Sequence, residues 1–86
     1  MNNHEYYDIK YMSQLALLLI RDDEAGYIEY FENNGYDDLL IEEKYNITPI
    51  MHMFSMSNYD TIKYVLYNAL IHSALDILKI KHLIFV

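Results

Sequence analysis

The sequence predicts an all-α protein, and three observations carry the prediction. Apolar residues recur at spacings of three and four, as in Ile62, Val65, Leu66 and Ala69, the period of one helical face. Thr48-Pro49 opens an apolar run with a hydroxyl that can cap free amides and a proline suited to the first turn. No Gly or Pro interrupts the chain from Ile50 to Val86. With 53% apolar residues in 86 the chain has enough material for one small core and too much for disorder.

In order along the chain, residues 1–8 are polar and expected to fray, with Tyr6-Tyr7 as anchors onto the first helix. Residues 9–21 read as a helix burying Met12, Leu15, Ala16, Leu18 and Leu19. Arg21-Asp22-Asp23-Glu24 is a charged turn whose carboxylates favour the positive end of the next helix. That helix, 25–33, buries Ile28 and Phe31 with help from Tyr27 or Tyr30, and Asn34-Gly35 closes it. Residues 38–47 read as an extended connection, pinned by Leu39, Leu40 and Ile41 while Glu42, Glu43 and Lys44 face water. A third helix is expected at 49–56, a polar turn at Ser57-Asn58, and a fourth helix at 59–68. Ile50, Phe54, Ile62, Val65 and Leu66 form the expected core of this second pair. The favoured reading then breaks the chain between Asn68 and Ser73 and resumes a helix at 71–80. One uninterrupted amphipathic helix through Ile77, Ile80 and Ile84 is the alternative.

The second helical pair resembles an ankyrin repeat. Thr48-Pro49-Ile50-Met51 stands where that family has Thr-Pro-Leu-His, and Ile62-Lys63-Tyr64-Val65-Leu66 resembles its second helix. Gly35-Tyr36-Asp37 is similar to the family's Gly-Ala-Asp. Ile28 and Ile62 lie 34 residues apart, one more than the usual repeat. In the first pair Gln14-Leu15 replaces the Thr-Pro opening, a departure of the kind capping repeats show. The resemblance implies stacked helical hairpins in a short solenoid: an acidic capping-like unit at 1–44, a repeat at 45–69 and a partial unit at 70–86. It also implies a non-catalytic module or adaptor that binds another protein. Partners of this family dock on the finger tips and the first-helix face. Carried over, those positions are Tyr36, Asp37, Asp38, Tyr45 and Asn46 in the connection, with Met51 and Ser55 on the helix; the acidic charge pattern adds Glu42 and Glu43, which with Asp37 and Asp38 flank Tyr36 and Tyr45. The runner-up is an unrelated small acidic helical protein, acting as an inhibitor or assembling with itself.

Charge is unevenly distributed. Residues 1–43 hold eleven acidic and two basic side chains, net −9, whereas residues 44–86 hold two and four, net +2. An acidic half disfavours nucleic acid and admits a partner with a basic surface. Ten tyrosines supply apolar area with a hydroxyl that can stay wet, suited to interfaces or to half-exposed packing. The apolar stretch from Tyr64 to Val86 holds Asn68, His72, Asp76, Lys79, Lys81 and His82, which argues against a membrane span. The end Leu83-Ile84-Phe85-Val86 carries no charge and is expected to be covered by a second copy or by further repeats of a longer array. Without cysteine there is no disulfide framework, and MNNHEYYD has none of the layout of a secretory signal, so an intracellular, cytoplasmic setting is expected.

Catalytic and metal chemistry find little footing. The nearest histidines, His72 and His82, are ten residues apart, not the four that put two rings on one ion. Asp22-Asp23-Glu24 lacks the alternating ligands of a calcium loop. Asp37-Asp38 and Glu42-Glu43 could pair for acid–base work, but a solvated acidic face explains them with fewer requirements. No serine sits in a nucleophile elbow. No cofactor and no enzymatic activity are expected.

Overall fold

A computed structural model describes residues 9–85 of the chain, with side chains described as far as His72. Over these residues the protein is all-α and shows no strand. Helix α1 spans Gln14–Ile20, α2 Glu24–Asn34, α3 Pro49–Met56 and α4 Tyr59–Phe85. A 3-10 turn at Ile9–Tyr11 precedes α1, and two more, Asp37–Leu40 and Lys44–Asn46, lie between α2 and α3. Helix α1 packs against both α2 and α3, and α4 packs on α3.

Each helix start is fixed by a side chain. Ser13 is extended and its hydroxyl accepts from the Ala16 amide at 3.2 Å. Asp23 accepts from Gly26, Thr48 from Met51 at 3.3 Å, and Asn58 from Thr61 at 2.9 Å. These bonds satisfy amides that the helices leave without partners. Gly35 (φ 74°) ends α2 in a conformation open to glycine, its N–H donating to the Phe31 carbonyl at 2.8 Å.

The core gathers Leu15, Leu19, Tyr27, Phe31, Leu39, Met53 and Val65. The turns of the two hairpins are tied together as well. Ser57 Oγ donates to the Leu19 carbonyl at 2.7 Å, and the Asn58 amide donates to Asp22 Oδ1 at 2.9 Å. Asp22 takes a left-handed φ of 54° to make this turn, a conformation Asp tolerates better than most residues.

Several expectations from sequence need correction. The first helix does not run from residue 9, because the extended Ser13 interrupts the chain and starts α1 anew. The connection is not an extended finger: it coils into two 3-10 turns joined by Ile41–Glu43, with only the Glu43 amide bonded back to Ile47, at 2.9 Å. Within it Leu39 alone is buried, while Leu40 and Ile41 are exposed. On α3 the buried stripe is turned by one residue: Met53 and His52 are buried and Phe54 is 54% exposed. Val65 is fully buried, whereas Ile50, Ile62 and Leu66 are only half-buried. Finally, α4 does not break between Asn68 and Ser73. Asn68 Nδ2 bonds the Tyr64 carbonyl one turn back, at 2.8 Å, and the helix continues to Phe85. The expected fraying of residues 1–8 and the covering of Leu83 to Val86 lie outside the described residues.

Candidate partner-binding surface

The connection between α2 and α3 is held from inside by three anchors. Leu39 inserts into the core. The Tyr30 hydroxyl donates to Asp38 Oδ2 at 2.5 Å, and this hydrogen bond, which favours the protonated phenol, pushes its pKa up to about 12, with burial and the Asp38 charge adding to it. Glu43 accepts twice from the residue that caps α1: the Ser13 amide at 2.9 Å and the Ser13 hydroxyl at 2.6 Å. A carboxylate thirty residues away in sequence thus completes a helix start.

Between these anchors Asp37, Leu40, Ile41 and Glu42 face outward. Leu40 is 69% and Ile41 56% exposed, and Asp37 and Glu42 beside them are exposed too. Behind Ile41 lies a shallow depression of about 240 Å³ whose lining includes Leu15, Tyr30, Asp38, Glu43 and Pro49. The arrangement is an aliphatic pair with an acidic rim on a loop that cannot swing freely.

The residues singled out from sequence do not form one patch. Asp38 and Glu43 come together at that depression, but each carboxylate is bonded within the molecule. Tyr36 is half-buried, stacked on Phe31 with ring centroids 4.4 Å apart and set against His72 at 4.8 Å on its other contact. Burial raises its phenol pKa. Tyr45 sits edge-on to Tyr11 at 5.8 Å, and the Lys44 ammonium lies 3.8 Å from the Tyr11 ring centre. Tyr45 (φ 65°) and Asn46 (φ 60°) are both left-handed, an uncommon conformation for a tyrosine. Met51 and Ser55 are exposed on α3, flanking Phe54. Leu40, Ile41 and Phe54 were missed because aliphatic and aromatic residues in a helical protein are read as core by default.

His52 is buried in α3. Desolvation lowers its pKa, and the negative charge of Glu43 opposes that shift in part. Among the described residues no group of three or more His, Asp or Glu side chains could hold a metal ion, and no helix is long and apolar enough to cross a membrane. The sequence matches no protein-family model, and comparison with curated proteins and with solved structures returns no similar chain.

Proposed function

We propose that the protein is a non-catalytic binding module of ankyrin-repeat type, which takes a partner with a basic surface on the connection between its two helical hairpins. The observation that carries the reading is the solvent-facing Leu40-Ile41 pair between the exposed carboxylates of Asp37 and Glu42. Exposed aliphatic side chains on an anchored loop offer apolar contact with little ordering to do on binding. The acidic rim steers a cationic partner and raises its on-rate, an effect that salt screens.

The hairpins themselves support the family resemblance. The caps Ser13 and Asp23 recur as Thr48 and Asn58, each 35 residues on. The buried residues Leu19, Tyr27 and Phe31 have buried counterparts Met53, Thr61 and Val65, each 34 residues on. In an ankyrin array the segment between such units and the exposed face of the first helix carry the partner; here that face presents Met51, Phe54 and Ser55.

A peptide library displayed on phage and selected against the full chain tests the reading. Selected peptides are expected to carry Lys or Arg beside apolar residues and to lose affinity on Leu40→Ser or Ile41→Ser. With Asp37→Asn and Glu42→Gln they should associate more slowly and depend less on salt. Peptides without a basic bias, or indifferent to all four changes, overturn it.

A second reading has its own observation. Helix α4 runs 27 residues without a break, more than twice the length of α2, and the connection forms no finger hairpin. Both features fit an unrelated acidic helical protein whose working element is α4, as an inhibitor or a self-assembling subunit. On that reading the Leu40 and Ile41 variants bind normally, and changes on the outer face of α4 are the damaging ones.

A further inference from the structure

Helix α2 ends on Asn34-Gly35, and of the asparagines in the chain Asn34 is the one followed by glycine. That pairing matters chemically. A backbone nitrogen can attack the side-chain carbonyl of the asparagine before it, and a side chain on the attacking residue obstructs the approach. Gly35 has none, and the space beside it is open: a Cβ there would meet nothing within 4 Å. Both residues are exposed, so the base and the water that the reaction needs reach them.

The chemistry balances with water alone. The Gly35 nitrogen gives up its proton to solvent hydroxide and bonds to Asn34 Cγ. The bond from Cγ to Nδ2 breaks, and that nitrogen leaves as ammonia after taking a proton from water. A succinimide ring remains, which water opens at either carbonyl. Cleavage of the new Cγ–N bond leaves an aspartyl residue. Cleavage of the original peptide C–N bond leaves an isoaspartyl residue, with the main chain routed through Cγ. Water is consumed, ammonia is released, and nothing is oxidised or reduced.

The fold holds both reactants back. The Gly35 N–H donates to the Phe31 carbonyl at 2.8 Å, and Asn34 Nδ2 donates to the Tyr30 carbonyl at 3.0 Å. Nucleophile and leaving group are thus tied to the last turn of α2. Ring closure has to wait until that turn opens, an event that costs a helix end little. Either product then keeps the turn from closing as before. An aspartyl carboxylate offers no N–H to the Tyr30 carbonyl and adds negative charge at the negative end of the helix dipole. An isoaspartyl link lengthens the main chain by a carbon and carries Gly35 away from Phe31. Just beyond, Tyr36 stacks on Phe31, Asp38 accepts from Tyr30 and Leu39 enters the core, so a displaced chain pulls on these anchors of the connection.

We infer that Asn34-Gly35 is a self-modification site: the pair converts to isoaspartyl and aspartyl forms whenever the last turn of α2 opens, and the conversion loosens the α2–α3 connection. This chemistry is independent of what the connection binds.

Incubation of the full chain in mildly alkaline buffer, with and without unfolding urea, tests it by mass-spectrometric mapping of the digested protein. The peptide holding Asn34 should gain the mass of an NH2-to-OH exchange and split into two products, while the peptides holding Asn46, Asn58 and Asn68 stay unchanged over the same time. Conversion should run at least about tenfold faster in urea, the ratio for a turn that is open in a minority of folded molecules. Asn34→Gln, whose longer side chain closes a ring less readily, should stay unconverted. The aged chain, separated by anion exchange, should unfold at lower urea than the fresh one, and Asn34→Asp should reproduce part of that shift. No conversion at Asn34 in either buffer, equal rates with and without urea, or an aged chain with the urea midpoint of the fresh one would overturn the inference.

Discussion

The two helical hairpins are built alike at their caps and differ at their surfaces. From Gln14 to Asn34 no large apolar side chain is exposed, and the outside of α2 shows Glu24, Glu29 and Glu32. From Pro49 to His72 the exposed set includes Met51, Phe54, Tyr59, Tyr67, Leu70 and Ile71. The first hairpin is closed at Gly35 and finished with charge; the second leaves apolar faces for something else to cover. Shared local rules therefore set the frame of both, and the surface residues divide their roles.

The largest effects should come from the core that joins the hairpins. Leu19→Ala on the first and Met53→Ala on the second should each cost about 2–5 kcal/mol in urea unfolding, since both side chains are fully buried. Phe54→Ala, one residue along, should stay below about 1 kcal/mol. A larger loss at Phe54 than at Met53 would show that α3 presents its other side to α1.

Next come the polar anchors. Glu43→Gln weakens two bonds to Ser13 and should cost about 1–3 kcal/mol, whereas the exposed Glu42→Gln should fall within ~0.5 kcal/mol of wild type. Equal effects would mean that the Ser13 cap works without its distant carboxylate.

The ends of the pH scale separate the hairpins with smaller effects. In the first, the Tyr30 pKa rises from 10.0 to about 12 in the folded protein. The folded chain holds that proton longer than the unfolded one, so this stability is complete below pH 10 and lost between about pH 10 and 12. Ultraviolet titration should find a tyrosine ionising near pH 12 that shifts to lower pH in Asp38→Asn. In the second hairpin His52 is depressed below 6.5. The unfolded chain binds a proton there that the folded chain resists, so stability falls as pH drops below 6.5. His52→Phe should flatten that acid slope in denaturation curves. A slope unchanged in this variant would move the acid sensitivity to other groups.

Helix positions on either side of the connection were legible because their signals are local. A capping side chain, Pro49 at a first turn and Gly35 at a helix end act on amides and carbonyls within a few residues. Three of the four helix starts fall within one residue of the expected position; the exception is α1, whose start depends on Ser13 and Glu43 meeting across the fold. Length was less legible than position: nothing in the residues around Asn68 forces α4 to stop, and the favoured break there did not materialise.

The candidate surface was only partly readable. The sequence pointed to the connection and its acidic character, and Asp37 and Glu42 are exposed there. It could not show that Asp38 and Glu43 bond inward, that Tyr36 stacks on Phe31, or that Leu40 and Ile41 face out while Leu39 is buried. The sequence by itself determined the helical class, the Thr48-Pro49 start of α3 and the uneven charge, because each follows from composition or from neighbours along the chain. Which of three consecutive aliphatic residues enters the core, and which carboxylates stay in water, was decided only by the tertiary structure. Those outcomes depend on groups brought together by the fold, Tyr30 eight residues from Asp38 and Ser13 thirty from Glu43, whose positions no local pattern encodes.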